Sequence, residues 1–142
     1  MAEALFKKYW FCRRRSVELV VTSAGIAARS GEAASDEVRQ LLKSEEEIDA
    51  KYHSATFLTP PLVEKATLIL VMGSSHKKTV EAISPTAAEK TFLLKEYTAP
   101  ESSSFEISDP FGGNMEIYRQ TMQEIKTLIL KLIEKLERDR LP

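Results

Sequence analysis

The chain has 142 residues, 43% of them hydrophobic, enough to fill the core of one ordinary domain and too many for a disordered segment. Twenty Lys and Arg stand against 21 Asp and Glu, a formal charge of −1 that excludes a strongly basic nucleic-acid platform and an acidic tail. A single cysteine, Cys12, excludes an internal disulfide and a paired-cysteine zinc site, and two histidines far apart in the chain argue against a polyhistidine one. No apolar run nears the roughly 18 residues of a membrane helix. The amphipathic first residues carry an acid, Glu3, and do not read as a secretory signal. A reducing cytoplasm is the expected setting.

Residues 2–9 hold helix formers with Ala4, Leu5, Phe6 and Tyr9 apolar, which predicts a first helix. Arg13, Arg14 and Arg15 interrupt it, and the β-branched run at 17–22 predicts a strand ended by Ser23-Ala24-Gly25. Residues 26–31 read as loop. Ala34, Val38, Leu41 and Leu42 recur at helical spacing over 33–43, and Ser44-Glu45-Glu46-Glu47 reads as a solvated charged turn. Thr59 before Pro60-Pro61 starts a short helix that ends near Ala66. Leu68-Ile69-Leu70-Val71-Met72 is apolar without alternation, the signature of a strand covered on both faces. Gly73-Ser74-Ser75 then turns into a helix over 76–83, stopped by Ser84-Pro85. Residues 91–94 form the next strand and 100–108 a polar loop. Asn114 caps a long last helix with a stripe at Ile117, Met122, Ile125, Leu128, Ile129, Leu132, Ile133 and Leu136. The alternation of strands and helices predicts one α/β domain over 1–142, a three-layer sandwich around a parallel sheet.

In such sheets the ligand sits beyond the carboxyl ends of the strands. The segment after Leu94 carries Asp109-Pro110-Phe111-Gly112-Gly113, which taken alone is turn punctuation. In context, Leu93-Leu94-Lys95-Glu96-Tyr97, this loop and Tyr118 resemble the low-molecular-weight protein tyrosine phosphatase family, in particular the bacterial branch that includes protein arginine phosphatases. Ser23-Ala24-Gly25, His53, the 68–72 strand and the final helix fall in matching order, so the resemblance spans essentially the whole chain.

The resemblance implies a phosphotyrosine protein phosphatase I-like fold and a protein phosphatase acting through a phosphocysteine. It implies that Asp109 is the general acid that protonates the leaving atom and then activates water. Phe111 either lines the substrate pocket or anchors its loop in the core. Ser23 and His53 match positions that hydrogen-bond the phosphate loop from behind; otherwise His53 is an ordinary surface histidine. Arg29 stands where relatives carry an aromatic pocket residue, and either touches substrate or is solvated. Thr67 departs from the family's frequent Asp, and Tyr118 is given no catalytic role. No metal and no cofactor are implied. The partner implied is a phosphoprotein, with no nucleic acid and no membrane.

The family chain opens with a strand and a Cys-x5-Arg phosphate loop followed by Ser-Pro, whereas this sequence starts at Met1-Ala2-Glu3-Ala4. The nucleophile, the amide cradle for the phosphate and the bidentate arginine all belong to that loop. Cys12 does not replace it, because the position six residues on is Glu18 rather than arginine. One cysteine cannot run the relay that arsenate reduction needs. The expectation is therefore a phosphatase domain without its first strand, inactive as given; the alternative is a non-catalytic module that binds a protein partner. In the family the absent strand lies between the 17–22 strand and the 68–72 strand. Its loss predicts direct pairing of those two, a dimer through exposed sheet edges, or a loosened region around residues 1–30.

Overall fold

A computed structural model describes residues 1–13 and 18–139. In chain order the elements are α1 (Ala2–Arg13), α2 (Asp36–Glu46), α3 (Pro60–Lys65), β1 (Ile69–Val71), α4 (Ser74–Ile83), a 3-10 segment (Pro85–Lys90), β2 (Thr91–Leu93), α5 (Leu94–Thr98) and α6 (Met115–Asp139). β1 and β2 run parallel, with Ile69, Leu70 and Val71 opposite Thr91, Phe92 and Leu93. The crossover between them is α4 and the 3-10 segment, the βαβ unit that a parallel pair requires.

Side chains alternate across a strand, and here the alternation sorts the core into two layers. Leu68, Leu70 and Met72 pack on the main core, where Leu5 and Phe6 of α1 meet Met122, Ile125, Ile129 and Ile133 of α6. Ile69 and Val71 pack on a smaller core of Val63, Val80 and Ala87, under α3 and α4. Helices thus cover both faces of the sheet, the α/β sandwich anticipated. The β1 residues are half-buried rather than fully enclosed, because among the described residues β1 has a ladder neighbour on one edge only.

Over its described residues, 18–22, the expected strand is not formed. Val17 lies outside the described residues, and 18–22 join no ladder. Burial still alternates there: Leu19 and Val21 touch the main core while Val20 is 90% exposed. β-branched residues favour extended backbone, but a strand exists only where a neighbour pairs its amides, and among the described residues none does. Direct pairing of 18–22 with β1 is likewise not seen among the described residues.

Several helices depart from their expected bounds: α4 starts at Ser74 rather than residue 76, and α5 takes in Leu94, expected in the preceding strand. α1 runs on to Arg13 because Trp10 stacks on Phe6, ring centroids 5.7 Å apart, and prolongs the packed face by a turn. α2 starts at Asp36, with the Ser35 hydroxyl accepting the Val38 amide, and its last turn takes in Ser44, Glu45 and Glu46. The charged turn is therefore helix. Glu47 closes it in the left-handed region, and Glu46 is buried rather than solvated.

α6 keeps its predicted stripe apart from Ile117, which is 44% exposed, and Tyr118 packs in the core. Its 25 residues span about 37 Å. Asn114 Oδ1 accepts the Ile117 amide at 3.0 Å, the side-chain cap expected. Asn114→Ala is expected to lower stability by about 1 kcal/mol, read from urea unfolding, with Asn114→Asp close to the parent. Among the described residues no helix is long and apolar enough to cross a membrane.

Candidate active site

The residues expected to form the site fall in two groups, one within the first 58 residues and one in the loop before α6. The first is built by zipping 23–33 against 54–58. The Gly25 amide donates to Thr56 O at 2.9 Å, Gly31 to Ala55 O at 2.8 Å, and Leu58 back to Gly25 O at 3.1 Å. This brings Ser23 and His53 to the first turn of α1. There the Glu3 carboxylate accepts the Ser23 hydroxyl and Lys7 Nζ, the latter at 2.5 Å, and lies 4.0 Å from His53 Nδ1. Burial pushes the Glu3 carboxyl up; the bonds from Lys7 and Ser23 and the field of Lys7 and His53 outweigh it and hold the carboxyl below its ordinary value. The cluster borders a cavity of about 570 Å³, whose apolar wall includes Val38, Leu42 and Ile48. The structure thus unites the two residues expected to act together, Ser23 and His53, through a third, Glu3, that sequence reasoning passed over. Its only local signal was an acid in a first helical turn.

The second group is the Asp109 loop. Asp109 Oδ1 accepts the Phe111 amide at 3.0 Å, and the Gly113 amide donates to Pro110 O at 2.8 Å. Asp with the following Pro makes this turn locally. Gly112 sits at φ +80°, in the region that glycine alone enters freely. The turn spends one carboxylate oxygen on its own backbone and leaves Asp109 exposed, and among the described residues no ion pair engages it. A carboxyl so placed is able to hand a proton to a leaving atom and take one from water.

Phe111 is 85% exposed, so the reading that it anchors the loop in the core is wrong; two consecutive turns hold the loop without it. Arg29 is exposed on the loop before Gly31, its carbonyl accepting the Glu32 amide. Among the described residues no hydrogen bond or ion pair joins Asp109, Phe111 or Arg29 to the Glu3 cluster, and no three His, Cys, Asp or Glu side chains gather as metal ligands. Cys12 is exposed near the far end of α1, nine residues and about 14 Å along the helix from Glu3.

Residues 1–141 match the family model described as low molecular weight phosphotyrosine protein phosphatase. The chain is 37% identical over 141 residues to a protein-arginine-phosphatase of Bacillus subtilis (strain 168), covering 99% of this chain and 89% of that one. It is 38% identical over 120 residues to a protein-arginine-phosphatase of Geobacillus stearothermophilus, covering 84% and 78%. Among solved structures it is similar to a cysteine-to-serine mutant of the arginine phosphatase YwlE with a phosphorylated active-site serine. That likeness has a TM-score of 0.88 at 34% identity and covers 98% of this chain and 88% of that one.

Proposed function

The chain belongs to the low molecular weight phosphotyrosine protein phosphatase family, and from that premise we propose that it supplies the general-acid and scaffold part of a phosphoprotein phosphatase, with phosphoarginine as its substrate class. Two protein-arginine-phosphatase relatives at 37% and 38% identity favour phosphoarginine over phosphotyrosine. The observation that carries the reading is Asp109, exposed in a preformed turn with no cation to engage it among the described residues.

In this reading a thiolate attacks phosphorus, an S–P bond forms, and the P–N or P–O bond breaks. Asp109 gives its proton to the departing nitrogen or oxygen, then takes one from the water that splits the phosphocysteine. Ser23 and His53, gathered on Glu3, back the phosphate-binding loop, while Phe111 and Arg29 contact the substrate. The 142 residues hold one cysteine, Cys12, on the wrong part of α1 and without an arginine six positions on. The chain by itself is therefore inactive. A cytoplasmic setting suits its free thiol.

The test is turnover of phosphoarginine and of p-nitrophenyl phosphate by the 142-residue chain. No release of phosphate above the uncatalysed rate is expected. Turnover at an ordinary enzymatic rate, lost in Asp109→Ala, would overturn the inactivity. A second reading, a non-catalytic module for a protein partner, draws on the 85% exposure of Phe111 at the tip of the loop. Heat or amide-shift changes on titrating phosphate or vanadate, without turnover, would favour it.

A further inference from the structure

We propose that Glu106 is a positioning residue for the Asp109 loop: its carboxylate caps α4 and thereby fixes, at the carboxyl end of β1, the segment that carries the acid. This rests on the reading of Asp109 given above.

The first amides of a helix need an acceptor, and the residue before the helix normally supplies it from its side chain. At α4 that residue is Gly73, which has none. Glu106, 33 residues further along the chain, fills the role: its Oε1 accepts the Ser74 amide at 2.9 Å, and the Ser74 side chain bonds it as well. One residue on, the Ile107 amide donates to Met72 O at 2.9 Å, and Ile107 is buried in the main core. Residues 106–107 are thereby tied to Met72, Gly73 and Ser74, the junction where β1 becomes α4.

The fit is close. An added Cβ at Gly73 would stand 2.4 Å from Glu106 Oε2. Gly73 has φ −151°, extended backbone open to any residue, so what a side chain there would clash with is the Glu106 carboxylate, which it would have to push aside. Asp109 follows Ile107 by two residues, which confines its Cα to within about 7 Å of that anchor. Asn114 caps α6 at the other end. Residues 108–113 therefore hang between two helix caps, one of them supplied across the fold by Glu106.

The bonds from Ser74, with His76 of α4 adding its field, hold the Glu106 carboxyl below its ordinary value, so it is ionised and a strong acceptor at neutral pH.

The experiment is amide hydrogen exchange, residue by residue, on the labelled 142-residue chain. Glu106→Ala is expected to speed exchange at Ile107, Phe111 and Gly113 about tenfold. Gly73→Ala, which leaves Glu106 chemically intact but displaces it, is expected to do the same. The double variant should add nothing further, because both remove one contact. Glu106→Gln keeps an oxygen that accepts the Ser74 amide and should restore protection to within about threefold. Unchanged protection in the middle of α6 shows that each variant is folded. Faster exchange confined to the first turn of α4, with Ile107, Phe111 and Gly113 as before, would reduce Glu106 to a helix cap and overturn the proposal. Failure of the acid assignment would appear elsewhere, as turnover indifferent to Asp109→Ala in the chain joined at its amino end to a Cys-x5-Arg-Ser-Pro loop.

Discussion

Joined at its amino end to an apolar strand and a Cys-x5-Arg-Ser-Pro loop, the chain is expected to hydrolyse phosphoarginine and aryl phosphates, and Asp109→Ala to lower kcat by about 10²- to 10⁴-fold. The size follows from the general-acid role proposed for the residue. A nitrogen or oxygen leaving as an anion is a poor leaving group, and a proton delivered as the bond breaks removes that charge. The loss should be steeper for phenyl phosphate than for p-nitrophenyl phosphate, whose leaving oxygen needs little help. KM should change far less than kcat, because the acid acts in the transition state and does not hold the ground-state phosphate. Asp109→Asn, which keeps the Phe111 turn and removes the proton, should be as slow as the alanine variant. A fall that ignores the leaving group, or one that Asn rescues, would mean the carboxylate serves only the turn.

Glu46→Ala is expected to lower stability by about 3 kcal/mol at pH 7 and the melting temperature by about 10 °C. Glu46 is 2% exposed at the end of α2. Its Oε2 accepts the Tyr9 hydroxyl at 2.6 Å and lies 3.3 Å from Lys8 Nζ, while Oε1 is 2.6 Å from Lys126 Nζ. Lys8 also donates to the Glu46 carbonyl at 2.5 Å. One carboxylate therefore pins α1, α2 and α6 together. Removing it leaves a half-buried phenol and two lysines around an empty acceptor site. Both lysines are partly exposed and able to turn to water, which keeps the loss below that of a fully enclosed ion.

Burial pushes the Glu46 carboxyl up, yet the bonds from Lys126, Tyr9 and Lys8 outweigh it and hold the carboxyl below its unfolded value. The stabilisation is then complete above the ordinary carboxylate range, near pH 4.3, and is lost as pH falls through the lower folded value. Urea unfolding from pH 7 down to pH 3 should show parent and Glu46→Ala converging toward acid. Parallel curves at every pH would remove the ionised carboxylate as the cause.

Glu46 also shows where reading a sequence stops. Three consecutive glutamates after a helix look like a solvated surface, since nothing local distinguishes the middle one. It is buried because Lys8, Tyr9 and Lys126, 38, 37 and 80 positions away in the chain, converge on it once α1 and α6 pack. Glu3 and Glu106 follow the same rule. Glu3 gathers Ser23 and His53, and Glu106 completes a helix whose own cap is a glycine. The run at 18–22 fails in the opposite sense: its composition favours a strand, but a ladder needs a partner and composition does not supply one.

The sequence by itself determined the features whose causes lie within a few residues. These are the stripe of α6 and its Asn114 cap, the apolar run of β1 with helices on both faces, and the Asp109 to Gly113 turn with its acid. Periodicity, capping and turn chemistry are short-range forces, so they are written in short stretches of residues. Only the tertiary structure decided which carboxylates are partnered, how residues 106–107 are tied to the end of β1 and which extended run becomes a strand. Those outcomes depend on charges and amides that meet across the fold, and packing alone sets which of them meet.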